Sequence, residues 1–215
     1  MTERPFRFGA VFSAPYTAAN LTELARRLEG EGFSTLLVAD HYAPNPLACS
    51  PVLMAAASAT TTLRVGSYVY NNDFRHAALL AKEAATIDVL SGGRMELGLG
   101  AGYYKEEYDA VGLAFDPPGV RARRFEEAID IITQLLNGQT VDFAGRHYRL
   151  SKFNAVPTPV QRPLPLLIAG GQRMLLRGCI GWKSRTNRSK PSERTMPPAA
   201  EKSLYAPRER HPKGC

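Results

Sequence analysis

The chain is predicted to be a parallel α/β protein, and three observations carry that prediction. Residues 63–102 read as strand, helix and strand. Five short apolar runs alternate with helical patterns along the first 177 residues. The runs at 34–39 and 166–169 are continuously apolar, as strands buried on both faces are. A strand–helix–strand of this length is a βαβ unit, with parallel strands and a right-handed crossover. The doubly wound sheet and the (β/α)8 barrel both satisfy this alternation, and periodicity does not choose between them.

Residues 6–12 alternate apolar with polar or small side chains and read as the first strand. Asn20 and Glu23 have the spacing of a capping box, and Leu21, Leu24, Ala25 and Leu28 then mark one helical face that ends at Gly30 and Gly32. The second strand, 34–39, runs into Asp40-His41-Tyr42 and a Pro-rich loop. An alanine-rich helix is expected near 51–61, then a strand over 63–70. Ala77, Leu80, Ala81 and Ala84 recur at helical spacing, Ser91-Gly92-Gly93 supplies the stop, and Met95, Leu97 and Leu99 alternate into the turn Gly98-Leu99-Gly100-Ala101-Gly102. A short helix is expected at 103–108, and Asp116-Pro117-Pro118-Gly119 reads as a breaker. Phe125, Ala128, Ile129, Ile132, Leu135 and Leu136 form an amphipathic stripe closed by Gly138. Residues 140–143 and 147–150 read as a hairpin, and four prolines lead to the fifth strand and Gly170-Gly171.

The net charge of +7 is unevenly placed. Residues 1–177 hold 18 Lys+Arg and 17 Asp+Glu, whereas 178–215 hold 9 and 3. The body is therefore nearly neutral, and its basicity is no argument for nucleic acid. No apolar run reaches the roughly 20 residues that span a bilayer, and the first residues lack the apolar core of a signal peptide, so no membrane partner and a cytoplasmic location are expected. Cys49, Cys179 and Cys215 are scattered, and the four histidines lack metal-ligand spacing, so no metal is expected.

Asp40 and His41 follow a buried strand at its C-terminal end, where ligands sit in parallel α/β folds. One reading makes His41 a proton donor beside a cofactor, oriented by Asp40; the other is a pair satisfying loop amides. Glycines 98, 100 and 102 are spaced G-x-G-x-G and miss the dinucleotide pattern G-x-G-x-x-G, which disfavours a nicotinamide site. They either let a ligand approach the backbone or make a tight turn. Arg75-His76 reads as a solvated helix start, with neutralisation of an acidic ligand as the alternative.

The runs A-D-H-Y at 39–42, V-G-S-Y-V-Y-N-N-D-F-R-H at 65–76, A-K-E-A-A-T-I-D-V-L-S-G-G-R at 81–94 and E-L-G-L-G-A-G at 96–102 resemble the bacterial luciferase-like monooxygenase superfamily, in particular its probable F420-dependent oxidoreductase branch. The resemblance covers about residues 5–177. It implies a (β/α)8 TIM-barrel type fold, a homodimer, and hydride transfer between reduced coenzyme F420, or alternatively FMN, and a small organic substrate. Carried over by position, it places Asp40 and His41 beside the cofactor ring, with His41 as proton donor. It puts a non-proline cis peptide at Tyr68-Val69, with Asn71 on the same loop. Ala101 and Gly102 fall at the turn that contacts the cofactor, and Gly170 and Gly171 at the loop that holds its phosphate. Tyr103 stands where the sugar-phosphate dehydrogenase branch has a carboxylate, so sugar-phosphate oxidation is not expected.

A barrel of this type takes about 250 residues, and strands 6 to 8 are expected after Leu176. Residues 178–215 instead have few aliphatics, much Arg, Lys, Ser and Pro, and no periodicity, the composition of a disordered basic tail. The expectation is an incomplete barrel of about five of eight strands over 1–177. Residues 178–215 form an unrelated tail, as a frameshift would produce. Weak cofactor binding and impaired turnover are expected to follow, with a non-catalytic flavin-binding homologue as the alternative.

Overall fold

The structure, a computed structural model, describes residues 6–12, 17–43 and 47–170. Its elements in chain order are β1 (Gly9–Phe12), α1 (Ala18–Gly30), β2 (Thr35–Val38), α2 (Cys49–Ala59), β3 (Arg64–Ser67), β4 (Tyr70–Asn71), a 3-10 turn (Asn72–Phe74), α3 (Ala77–Leu90), β5 (Met95–Gly100), α4 (Lys105–Ala110), α5 (Pro118–Leu136), β6 (Val141–Ala144), β7 (Arg149–Phe153) and β8 (Leu166–Ala169). The expectations for Gly171 and for residues 178–215 fall outside the described residues.

The wall strands pair in parallel as β1 to β2, β2 to β3, β3 and β4 to β5, and β5 to β8. Each new strand is added outside the one before, so the order never reverses. A doubly wound sheet requires a reversal, and a barrel wall does not, which resolves the choice left open by the sequence. The side chains divide by strand alternation. Leu36, Val38, Val65, Met95, Leu97 and Leu99 are buried beneath the helices, against Leu21 and Ala25 of α1, Leu53 and Ala56 of α2, Leu80 and Ala84 of α3, and Phe125 and Ile132 of α5. The opposite, inner face carries Val11, Leu37, Gly66, Gly98, Gly100 and Leu167 in matching register. Val11 is 50% and Leu167 47% exposed, so no described residue covers the two flanks of this face.

The run that carries the family resemblance builds the end of the wall where the strands begin. Asp88, fully buried, accepts from the Gln161 backbone (2.9 Å) and side-chain amide (2.6 Å), tying α3 to the strap before β8. Arg94 donates to the carbonyls of Ala57 (2.7 Å), Leu63 (2.8 Å) and Ser91 (2.7 Å), so one guanidinium satisfies the end of α2 and the turn after α3. On the inner face Glu96 accepts from Arg64 (2.6 Å) and Thr35 (3.2 Å) and is paired with Arg7. Burial opposes its ionisation, but the two guanidiniums hold its carboxyl below the usual range.

Several boundaries differ from the sequence expectation for local reasons. The first strand keeps only Gly9–Phe12 of 6–12, because pairing with β2 begins at the Gly9–Thr35 register. The N-cap of α1 is Thr17, whose hydroxyl faces the Asn20 amide at 3.4 Å, so Asn20 lies inside the helix it was expected to cap. The expected strand 63–70 is split into β3 and β4 around a cis Tyr68–Val69 peptide. Pro118 does not break a helix but opens α5, where a missing N–H costs nothing. Among the described residues, no helix is long and apolar enough to cross a membrane.

Glu29 at the end of α1 gathers the turn between α2 and β3, accepting from the amides of Thr61 (2.9 Å), Thr62 (2.5 Å) and Leu63 (2.9 Å). The Thr62 amide foremost, with the Leu63 and Thr61 amides, lowers its carboxyl from 4.5 to about 2. A depressed carboxylate stabilises above its unfolded value and loses that contribution as pH falls toward the folded one. Glu29→Gln is expected to cost about 1 kcal/mol at neutral pH and to flatten the acid loss of stability between pH 4.5 and 2. Identical thermal unfolding of variant and parent across that range would contradict this.

Candidate functional site

The site is organised by the break in the third wall strand. β3 pairs with β5 up to Gly66–Glu96, and β4 resumes at Tyr70–Leu99. Three residues on one side, Ser67 to Val69, therefore face two on the other, Leu97 and Gly98, which makes a bulge. The Ser67 hydroxyl fills the gap in the ladder, donating to the Gly98 carbonyl (2.8 Å) and accepting from the Gly98 amide (2.8 Å). A Cβ on Gly98 would lie 2.1 Å from the Ser67 carbonyl oxygen and 2.9 Å from Val69 Cγ1, and one on Gly100 would lie 2.7 Å from Val69 Cγ2. These two glycines are needed so that Val69 can lie over β5. Of the two roles open from the sequence, close approach to a ligand is thus replaced at these positions by close approach of the chain's own bulge.

Asp40 and His41 follow β2 at the same end and have different roles. Asp40 is buried; Oδ1 accepts from Arg75 Nη2 (2.8 Å) and Oδ2 from the Asn71 amide (3.0 Å). Both oxygens are engaged within the chain, so Asp40 holds the segment after β4 in place. Arg75, expected to be solvated, is drawn in by this pair and lies 4.6 Å over the Tyr70 ring. Burial works against its charge, while Asp40 raises its pKa above the ordinary value. His41 keeps 23% of its side chain exposed and has Nδ1 2.7 Å from Glu107 Oε2. Tyr103 and Tyr104 stand edge-on to the imidazole at 6.1 and 6.4 Å between centroids. Glu107 itself is 4% exposed, and its Oε1 accepts from the Ala43 amide at 3.0 Å.

A second tier holds this end rigid. Asn71 Oδ1 accepts from the Asp73 amide (3.0 Å) and lies 3.0 Å from Tyr108 Oη, which is also 3.0 Å from Asp73 Oδ2. Asp73 takes a two-pronged bond from Arg124 (2.7 and 2.7 Å), and Arg124 reaches on to Asp116 (2.6 Å). These bonds, that from Asp73 first, raise the Arg124 pKa further, and burial pushes the Tyr108 hydroxyl up to about 12. Gly102 sits against this knot at φ 75°, its carbonyl accepting from Arg121 (2.8 Å).

Asp40, His41, Tyr68, Val69, Asn71, Ala101, Gly102 and Gly170 thus all lie at the C-terminal ends of β2, β3 and β4, β5 and β8. Glu107, Asp73, Tyr108 and Arg124 were missed as site residues. Glu107 was visible only as one acid in the run Lys105-Glu106-Glu107, and which of those faces inward depends on where the short helix starts.

A Cβ on Gly102 would lie 1.9 Å from Tyr108 Oη and 2.8 Å from Asn71 Oδ1, in a backbone region that L side chains disfavour. Gly102→Ala is expected to destabilise the protein by about 2–3 kcal/mol. Chemical denaturation measures this, and an unchanged midpoint would contradict the packing described.

The model of a family described as luciferase-like monooxygenase matches residues 5–178. An uncharacterized protein of Mycobacterium tuberculosis is 31% identical over 184 residues, covering 74% of this chain and 62% of its own length. An F420-dependent glucose-6-phosphate dehydrogenase of Nakamurella multipartita is 31% identical over 176 residues, covering 78% and 51%. The structure of the coenzyme F420-dependent tetrahydromethanopterin reductase from Methanopyrus kandleri superposes with a TM-score of 0.70 at 28% identity, covering 79% of this chain and 52% of that one. The chain therefore spans about half to three-fifths of the length of these relatives. A parallel wall of unreversed strand order, broken by a bulge over Gly98 and Gly100 and matched by the family model over nearly all its described residues, belongs to the luciferase-like monooxygenase family.

Proposed function

We propose that this chain forms the cofactor-facing wall of an oxidoreductase that moves hydride between coenzyme F420 and a small organic substrate, with FMN as the alternative cofactor. The observation that carries the reading is the convergence, at one end of the wall, of a partly exposed imidazole, the Tyr68–Val69 bulge over Gly98 and Gly100, and the exposed Gly170 after β8. The F420-dependent relatives at 31% and 28% identity favour the deazaflavin over FMN.

The residues present fit a flat heteroaromatic group. Val69 covers Gly98 and Gly100 with an apolar surface, Tyr68 is 54% exposed, and Ala101 and the exposed Gly170 have little or no side chain to obstruct an approach. Asp40 contributes by holding the Asn71 segment rather than by offering a free oxygen. When bound, a reduced deazaflavin or flavin supplies hydride. His41 handles the proton that accompanies it, at the substrate atom whose charge changes. Tyr103 stands edge-on to His41 and 76% exposed, where sugar-phosphate dehydrogenation would want a carboxylate, so the substrate is assigned to other organic alcohols or carbonyls. The protein is further proposed to act as a homodimer; exposed Leu79 and Leu90 on α3 support an apolar contact there.

Titration with F420 and with FMN, read by fluorescence, tests the cofactor. F420 is expected to bind the tighter of the two, weakly in this chain, and Tyr68→Asp to weaken it at least tenfold. Preference for FMN, or binding indifferent to Tyr68→Asp, would overturn the assignment. Turnover of an alcohol panel with F420 tests the chemistry, with His41→Asn expected to lower kcat/KM roughly 10²–10⁴-fold. Binding without turnover of any substrate would identify a non-catalytic cofactor-binding homologue instead.

A further inference from the structure

The buried carboxylate of Glu107 faces a backbone amide with one oxygen and an imidazole nitrogen with the other. Oε1 accepts from the Ala43 backbone N–H at 3.0 Å, and Oε2 lies 2.7 Å from His41 Nδ1. The first of these donors is fixed, because a backbone amide can only donate. Glu107 is 4% exposed, so no solvent exchange relieves a mismatch there. A carboxylate has acceptors at both positions, and the imidazole nitrogen that faces it is therefore the protonated one. We infer that Glu107 is a positioning residue that sets the tautomer of His41: it holds the proton on Nδ1 and leaves Nε2 as a lone pair.

This inference rests on the proposed function only for its consequence, since the tautomer follows from the three groups alone. With Nε2 unprotonated, His41 can take the hydroxyl proton of an alcohol as the substrate carbon gives up hydride. The O–H bond would break with its proton going to Nε2, the bound oxidised deazaflavin or flavin would supply the acceptor for the C–H hydride, and a carbonyl would remain. The imidazolium formed is opposed by the Glu107 carboxylate through the same Nδ1–H bond. In the reverse direction Nε2 returns the proton to the carbonyl oxygen. A histidine with the opposite tautomer has no lone pair at Nε2 and cannot start the alcohol oxidation as a neutral base; in hydrolases built on a carboxylate–imidazole couple, the wrong tautomer costs about 10⁴-fold in kcat.

The substitution Glu107→Gln separates these statements, because an amide has one acceptor and one donor end. The Ala43 N–H must take the acceptor, so the amide N–H faces His41 Nδ1 and requires a lone pair there. The variant is expected to invert the tautomer to Nε2–H while keeping shape and volume. Two-bond ¹⁵N–¹H correlation spectra of uniformly ¹⁵N-labelled protein without cofactor, at a pH where the ring is neutral, read this directly; His41→Asn identifies the resonance. The expected result is Nδ1–H in the parent and Nε2–H in Glu107→Gln, with the signals of His76 and His147 unmoved as the check on folding. Nε2–H in the parent, or Nδ1–H persisting in a folded Glu107→Gln, overturns the inference. Turnover of Glu107→Gln is expected to fall at least 100-fold, with kcat affected more than KM. An inverted tautomer with undiminished turnover upholds the role of Glu107 and overturns instead the reading of His41 as the proton-handling group.

Discussion

The contact on which the rest of the site depends is that of Val69 with Gly98 and Gly100 of β5. It exists because β5 carries no side chain at either position, and any Cβ there would come within 3 Å of the bulge. Once Val69 occupies that space, the ladder between β3 and β5 has a gap, and the Ser67 hydroxyl closes it by bonding both polar atoms of Gly98. β4 then restarts one residue out of step, which brings the Asn71 amide to Asp40 and Asn71 Oδ1 to Tyr108. A sheet that simply continued would present a regular, filled inner face; the displaced one presents an apolar step at the end where the loops converge.

Stability and chemistry are divided between the two ends of the wall. At the end where the strands begin, charge is spent on closure: Arg94 on three carbonyls, Asp88 on the Gln161 strap, Glu96 between two guanidiniums. At the other end the charged pairs are no less numerous, but each immobilises a loop. Asp40–Arg75 fixes the segment after β4, and Asp73–Arg124–Asp116 ties the 3-10 turn to α5 and the loop before it. His41 is the exception, half of a pair whose partner is buried and whose own edge is still reachable. That asymmetry is what supports the proposal of a chemical role for His41 rather than for its neighbours.

Much of this was legible in the sequence where period and punctuation agree. The run 34–39, the stripe from Phe125 to Leu136, and the Gly92-Gly93 stop fall within a few residues of their elements, because burial on two faces or on one helical stripe leaves a direct trace. The run 166–169 also falls on β8, but Leu167 is 47% exposed, so the burial on both faces expected of it is not met among the described residues. The family resemblance placed the cis peptide at Tyr68–Val69, which periodicity could not, since 63–70 reads as one uninterrupted strand. What failed were features decided by a partner far along the chain. Arg75 reads as a solvated helix start until Asp40, 35 residues earlier, takes it. The glycine run reads equally as a ligand cradle or a tight turn until Val69 occupies two of its positions. Glu107 cannot be told from Glu106 without the loop that carries Ala43, 64 residues away. A pattern within one segment does not encode a bond between two.

The ends of β2, β4, β5 and β8 lie on one face, which is proposed to receive a flat redox cofactor. Chemical-shift mapping of backbone amides on addition of oxidised F420 tests it most directly. The perturbed amides are expected to cluster at His41, Tyr68, Val69, Ala101, Gly102 and Gly170, while those of Asp88, Arg94 and Glu96 at the far end stay unmoved. Perturbations centred on the far end, or scattered without a cluster at a saturating concentration, would contradict it.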